Sequence, residues 1–166
     1  MTSTSQTRSI PMAQWCALAR EGIAPPVTIC LEGDSMRPLI RRGIDPVTIV
    51  PLQRPLRKGD VVLFTLGDGR YVVHRVWKLT EDAVRTFGDN CRNPEPWFPY
   101  PQVLGLVVSF RRGDRVFRLD TPAARAWGRA WMAAFPLRNC YIMLKGIARR
   151  CYRMVFPKPQ KGGDGR

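Results

Sequence analysis

One histidine, His74, stands in the whole chain, and acidic side chains are scarce: 13 Asp and Glu against 27 Lys and Arg, a formal charge of +14 over 166 residues. With a single imidazole, a zinc site would have to be assembled from distant cysteines. The five cysteines (Cys16, Cys30, Cys91, Cys140 and Cys151) contain no C-x-x-C pair. Free thiols in a reducing compartment are therefore expected, with no metal and no cofactor. No stretch reaches the ~18 consecutive apolar residues of a membrane span. The best candidate near the C-terminus is cut by Arg129, Pro136, Arg138 and Lys145, and Pro11 and Gln14 interrupt the apolar stretch before Ala19 that would otherwise resemble a secretory signal. The sequence thus predicts a cytoplasmic protein, soluble or peripheral on the inner face of the membrane.

What is present is a chain long enough for one domain and a small appendage. Hydrophobic residues make up 45% and charged residues 24%, a balance that folds. The positive charge is uneven. Residues 1–120 hold 17 basic and 12 acidic side chains, whereas residues 121–166 hold 10 and 1. A boundary at Thr121 is expected on that ground, with an N-terminal segment over 1–26, a β domain over 27–120 and a basic helical tail over 121–166.

Periodicity supports this division. Met12, Trp15, Cys16 and Ala19 recur at helical spacing before Gly22. Seven short strand-like runs follow, at Val27–Leu31, Val47–Pro51, Val61–Leu66, Tyr71–Trp77, Ala83–Phe87, Val103–Phe110 and Arg115–Leu119. Gly67-Asp68-Gly69 and Arg112-Gly113-Asp114 read as hairpin turns. Short strands with Gly and Pro punctuation and no intervening helix predict a mainly β, coiled or barrel-like domain. Thr121-Pro122 then opens a helix towards Phe135, and Asn139 caps a second one through about Phe156.

Three strings carry candidate chemistry. Glu32-Gly33-Asp34-Ser35-Met36-Arg37-Pro38 follows an apolar strand and places a serine hydroxyl just beyond a glycine. Lys58-Gly59-Asp60-Val61-Val62-Leu63-Phe64 is a turn feeding a buried strand, and Lys58 beside that turn is expected to be solvated and charged. Tyr71-Val72-Val73-His74-Arg75-Val76 puts Val72, His74 and Val76 on one face and Val73 and Arg75 on the other. Alone, each string has an ordinary structural reading. Together they supply a hydroxyl, an imidazole able to activate it near neutral pH, and in Gly88-Asp89-Asn90 an acid able to hold the imidazole tautomer.

In this order the strings resemble the serine-peptidase clan of type I signal peptidases and LexA-like self-cleaving repressors. The matching residues are Gly33-Asp34-Ser35-Met36-Arg37-Pro38, Gly59-Asp60-Val61-Val62-Leu63-Phe64, His74-Arg75-Val76 and Gly88-Asp89-Asn90, spread over about half the chain. The resemblance implies a coiled all-β catalytic domain and a serine endopeptidase acting on a peptide or protein, such as a leader or signal sequence. Ser35 would be the nucleophile. His74, at the position where bacterial members carry lysine and the endoplasmic-reticulum and archaeal-type enzymes carry histidine, would be the base. Asp89 is the preferred orienting acid and Glu95 the alternative.

Two departures stand out. Gly33 occupies the position of an oxyanion-assisting Ser or Thr, and the transmembrane anchor of ordinary signal peptidases is missing. A His74 base predicts activity rising through a pKa of about 6.5. Two other classes compete with the enzyme: a catalytically silent scaffold for a peptide or a membrane, and a basic β-barrel that binds nucleic acid. The ordered Ser, His and Asp strings speak against nucleic acid. For residues 121–166 the alternatives are a helix packed on the domain and an attachment to an anionic membrane surface, where aromatics interleaved with arginines would lie.

Overall fold

A computed structural model describes residues 11–137. The chain divides into two compact units, Met1–Met132 and Ala133–Arg166. The first begins with helix α1 (Met12–Arg20). Eight strands follow: β1 (Val27–Cys30), β2 (Pro46–Pro51), β3 (Val61–Thr65), β4 (Tyr71–Leu79), β5 (Ala83–Phe87), β6 (Phe98–Pro99), β7 (Val103–Arg112) and β8 (Arg115–Arg118). Helix α2 (Pro122–Ala133) closes the described elements. The expectation of a mainly β domain holds: the strands form one antiparallel sheet, curled into a half-barrel, in the order β1-β2-β7-β3-β4-β5-β6, with β8 on β7. The two-residue β6 was not anticipated, being too short for any alternation to show.

The curl follows from which faces are buried. β3 is buried along its first four residues, as its uninterrupted Val61-Val62-Leu63-Phe64 run requires. Val61 and Leu63 join Trp15, Met36, Ile49, Leu104 and Val107 in one core, while Val62 and Phe64 join Val76, Val84, Phe98 and Leu106 in another. β3 and β4 form a hairpin across the Gly67-Asp68-Gly69 turn, in which Gly69 takes φ +81° and Asp68 accepts the Arg70 amide at 3.1 Å. The register pairs His74 with Val62 and Arg75 with Val61.

Both flanking segments are tied to the sheet. Trp15 of α1 is fully buried, with its indole N–H donated to the Pro25 carbonyl at 2.8 Å. Gly105 on β7 makes room for it. α2 starts as the sequence predicts, Thr121 Oγ1 accepting the Ala124 amide at 3.2 Å ahead of Pro122. It buries Arg125, Gly128 and Met132. The second basic helix expected from Asn139 lies outside the described residues. No helix among the described residues is long and apolar enough to cross a membrane.

A methyl group at Gly105 would stand 2.6 Å from the Val50 carbonyl oxygen and 2.9 Å from Trp15 Cη2. Gly105→Ala should therefore lower stability by about 2–3 kcal/mol in urea unfolding; an unchanged midpoint would contradict this packing.

Candidate active site

The Ser35 loop leaves β1 through Leu31 and is anchored by Met36, which is fully buried in the Trp15 core. The loop is also tied to itself, the Arg37 amide donating to the Asp34 carbonyl at 3.2 Å and Ile40 to Met36 at 2.9 Å. Ser35 is half-buried in the wall of a cavity of about 640 Å³, lined by Ile29, Cys30 and Leu31 on one side and Tyr71, Val72 and Val73 on the other. Among the described residues no acceptor takes the Ser35 amide N–H. Gly33 leaves open the space its side chain would fill: a Cβ there would sit 3.9 Å from Ser35 Oγ, an ordinary contact.

His74 does not line this cavity. It lies on β4, 3% exposed, with its ring 5.9 Å from that of Phe64. Burial among apolar side chains disfavours the imidazolium and pushes the pKa down to about 4, so the ring is neutral at pH 7. The expected value near 6.5 is thereby corrected downward, because the residue's depth in the hairpin could not be read from alternation alone.

The four residues 88–91 join these two groups. The Asn90 amide donates to the Ser35 carbonyl at 2.7 Å, and Asn90 Nδ2 donates to the Asp34 carbonyl at 3.2 Å. Two residues earlier, Gly88 lies close against the imidazole: a Cβ there would be 2.9 Å from His74 Nε2 and 2.5 Å from Cys91 Sγ. One turn thus holds the serine loop by its backbone and the histidine by its ring. Cys91 Sγ, 4.0 Å away, is the atom facing Nε2, and no direct hydrogen bond joins Ser35 Oγ to the ring. Cys91 was not a sequence candidate, because nothing in its spacing marks it.

The acid at the other ring nitrogen corrects the preferred expectation. Asp89 does not orient His74: both its oxygens are taken by Arg75, at 2.9 Å from Nε and 2.7 Å from Nη2. Glu95 faces the ring instead, with Oε1 3.3 Å from His74 Nδ1, although Nδ1 has no well-formed hydrogen bond. Glu95 is fixed by its backbone. Its amide donates to Thr86 at 2.9 Å, and its carbonyl accepts Arg85 Nε at 2.9 Å. The Arg85 guanidinium in turn lies over the rings of Trp77, at 5.3 Å, and Trp97, at 6.0 Å. An arginine directed into a core needs a carboxylate, and Arg75 adjoins His74 on the opposite face, but which carboxylate reaches it is settled only by the fold.

No family model matches the sequence, and no curated protein matches it. Chemically, the site offers a hydroxyl at the rim of an apolar cavity, a neutral imidazole, a carboxylate at its Nδ1 side and a free backbone donor beside the hydroxyl. Lys58 is exposed and has no part in it.

The lowered His74 pKa has a consequence for stability. Between pH 6.5 and 4 the unfolded chain binds a proton that the folded chain refuses, so stability falls as pH drops through that window. The wild type should lose about 3 kcal/mol more than His74→Gln between pH 7 and pH 4 in urea unfolding. Parallel pH dependences would contradict a buried neutral ring.

Proposed function

We propose that the protein is a serine endopeptidase of the signal-peptidase-like and LexA-like kind, acting on a peptide or protein substrate. The observation that carries this reading is the 88–91 turn, which binds the Ser35 loop through Asn90 and contacts the His74 ring through Gly88. A structural histidine and an unrelated loop serine have no need of a shared clamp.

In this reading an apolar stretch of substrate enters the cavity between Ile29–Leu31 and Tyr71–Val73 and brings a peptide carbonyl to Ser35. The Ser35 hydroxyl rotates towards Nε2, gives up its proton to the neutral ring and attacks the carbonyl carbon. The Ser35 amide N–H receives the developing oxyanion, a donor of a kind worth about 3–4 kcal/mol. The imidazolium then protonates the leaving amine. Water, deprotonated by the same ring, hydrolyses the acyl-enzyme. Glu95 stabilises the Nδ1–H tautomer and the transient imidazolium, its 3.3 Å separation closing as the ring acquires charge. Asp89 acts one step removed, keeping the turn in place through Arg75.

Purified protein incubated with a peptide library, its products read by mass spectrometry, should show cleavage that Ser35→Ala lowers by at least about a thousandfold. The acid limb of kcat/KM should lie near pH 4, where the buried ring titrates. Cleavage retained in Ser35→Ala, or a profile still rising above pH 9 as for a lysine base, would overturn the assignment.

The two acids should separate cleanly. Glu95→Gln should cut kcat by about ten- to a hundredfold with the melting temperature nearly unchanged. Asp89→Asn, which strands the buried Arg75 cation, should cost about 3–5 kcal/mol of stability. The reverse pattern would restore Asp89 as the orienting acid.

A further inference from the structure

A second cavity, of about 410 Å³, shares no lining residue with the one at Ser35. Arg57, Lys58, Pro122, Arg125 and Arg129 line it, so four cations meet there with no carboxylate in the wall. The nearby acids are already committed. Asp60 is gripped by Arg54 through both oxygens at 2.9 Å and accepts the Arg57 amide at 2.8 Å. Asp120 is held by both Nε and Nη2 of Arg118. Arg125, 7% exposed, donates to the Asp120 carbonyl and stands 3.8 Å from Asp60 Oδ1. The side chains of Arg57, Lys58 and Arg129 have no carboxylate partner among the described residues.

The arrangement is held by backbone. Gly59, at φ +95°, lets the Arg57-Lys58 turn press against α2, where a Cβ would stand 2.6 Å from the Arg125 carbonyl oxygen. Arg125 and Arg129 are one helical turn apart on the facing side of α2. Arg125 is already paired with Asp60, but Arg57, Lys58 and Arg129 are drawn up beside it without a carboxylate of their own, and an anion entering between them relieves their repulsion.

We propose that this cavity binds a phosphoryl group. Three guanidiniums and an ammonium match a compact dianion, because guanidinium forks engage two phosphate oxygens at once and the ammonium supplies a further point charge. A phosphate monoester and a lipid headgroup present the same chemistry. The assignment is independent of the peptidase reading.

Calorimetric titration of the full chain with inorganic phosphate tests it, beside co-sedimentation with phosphatidylcholine vesicles made with and without phosphatidic acid. Two variants of equal charge loss are compared: Arg57→Gln/Lys58→Gln/Arg129→Gln in the cavity, and Arg42→Gln/Arg111→Gln/Arg115→Gln at exposed positions elsewhere. The cavity variant should weaken phosphate binding by about tenfold or more, and the distant one by less than about twofold. Sedimentation that needs phosphatidic acid and is lost in the cavity variant would assign the ligand to a lipid headgroup. Phosphate binding without it would assign a soluble phosphate. No saturable heat and no phosphatidic-acid-dependent sedimentation, or equal weakening in both variants, would overturn the proposal.

Discussion

Arg75 and Asp89 are both shut away from solvent, at 1% and 0% side-chain exposure, and each alone would be a buried charge without a counterion. Their two-pronged contact resolves that cost and ties together four parts of the chain. Arg75 comes from β4 and Asp89 from the turn after β5. Arg75 Nη1 donates to the Gly59 carbonyl ahead of β3 at 3.0 Å. From above, α2 closes over the pair: Gly128 lies against the guanidinium with no room for a side chain, Trp127 covers it at 5.7 Å, and Trp131 donates to the Asp89 carbonyl at 3.1 Å.

The candidate active site inherits its geometry from this pair. Arg75 and His74 are neighbours on one strand and point to opposite faces, so fixing Arg75 fixes the plane from which the imidazole projects. Asp89 sits between Gly88, which touches the ring, and Asn90, which holds the Ser35 loop. The pair therefore positions both the Ser35 loop and the His74 ring without touching either. Two other buried acids follow the same rule: Asp45 is held by Arg41 and Arg112, and Asp60 by Arg54. The arginine excess is thus partly structural, and the cations around Arg57 and Arg129 stand out because they lack such partners.

How much of this could be read in advance depended on whether the governing contacts were local. The β3–β4 hairpin was legible because alternation and a Gly-Asp-Gly turn are written within a dozen residues. The start of α2 was legible in Thr121-Pro122 for the same reason. The choice between Asp89 and Glu95 was not, since it rests on which face of the sheet each carboxylate reaches once the chain has turned twice. The depth of His74 was hidden likewise: its valine neighbours suggest a core, but Phe64 and Gly88, which desolvate the ring, arrive from other segments. Cys91 and the cationic cavity have no local signature at all. Cys91 meets the ring of a distant strand, and the cavity forms where the Arg57-Lys58 turn meets helix α2.

The central claim is that a neutral, buried imidazole activates the Ser35 hydroxyl. Reaction with a fluorophosphonate, followed by intact mass and peptide mapping, tests it most directly, because the reagent needs an activated hydroxyl and no knowledge of the substrate. The account predicts one adduct, on Ser35, forming at least about a hundredfold more slowly in His74→Ala. No adduct, or one forming equally fast without the histidine, would contradict it.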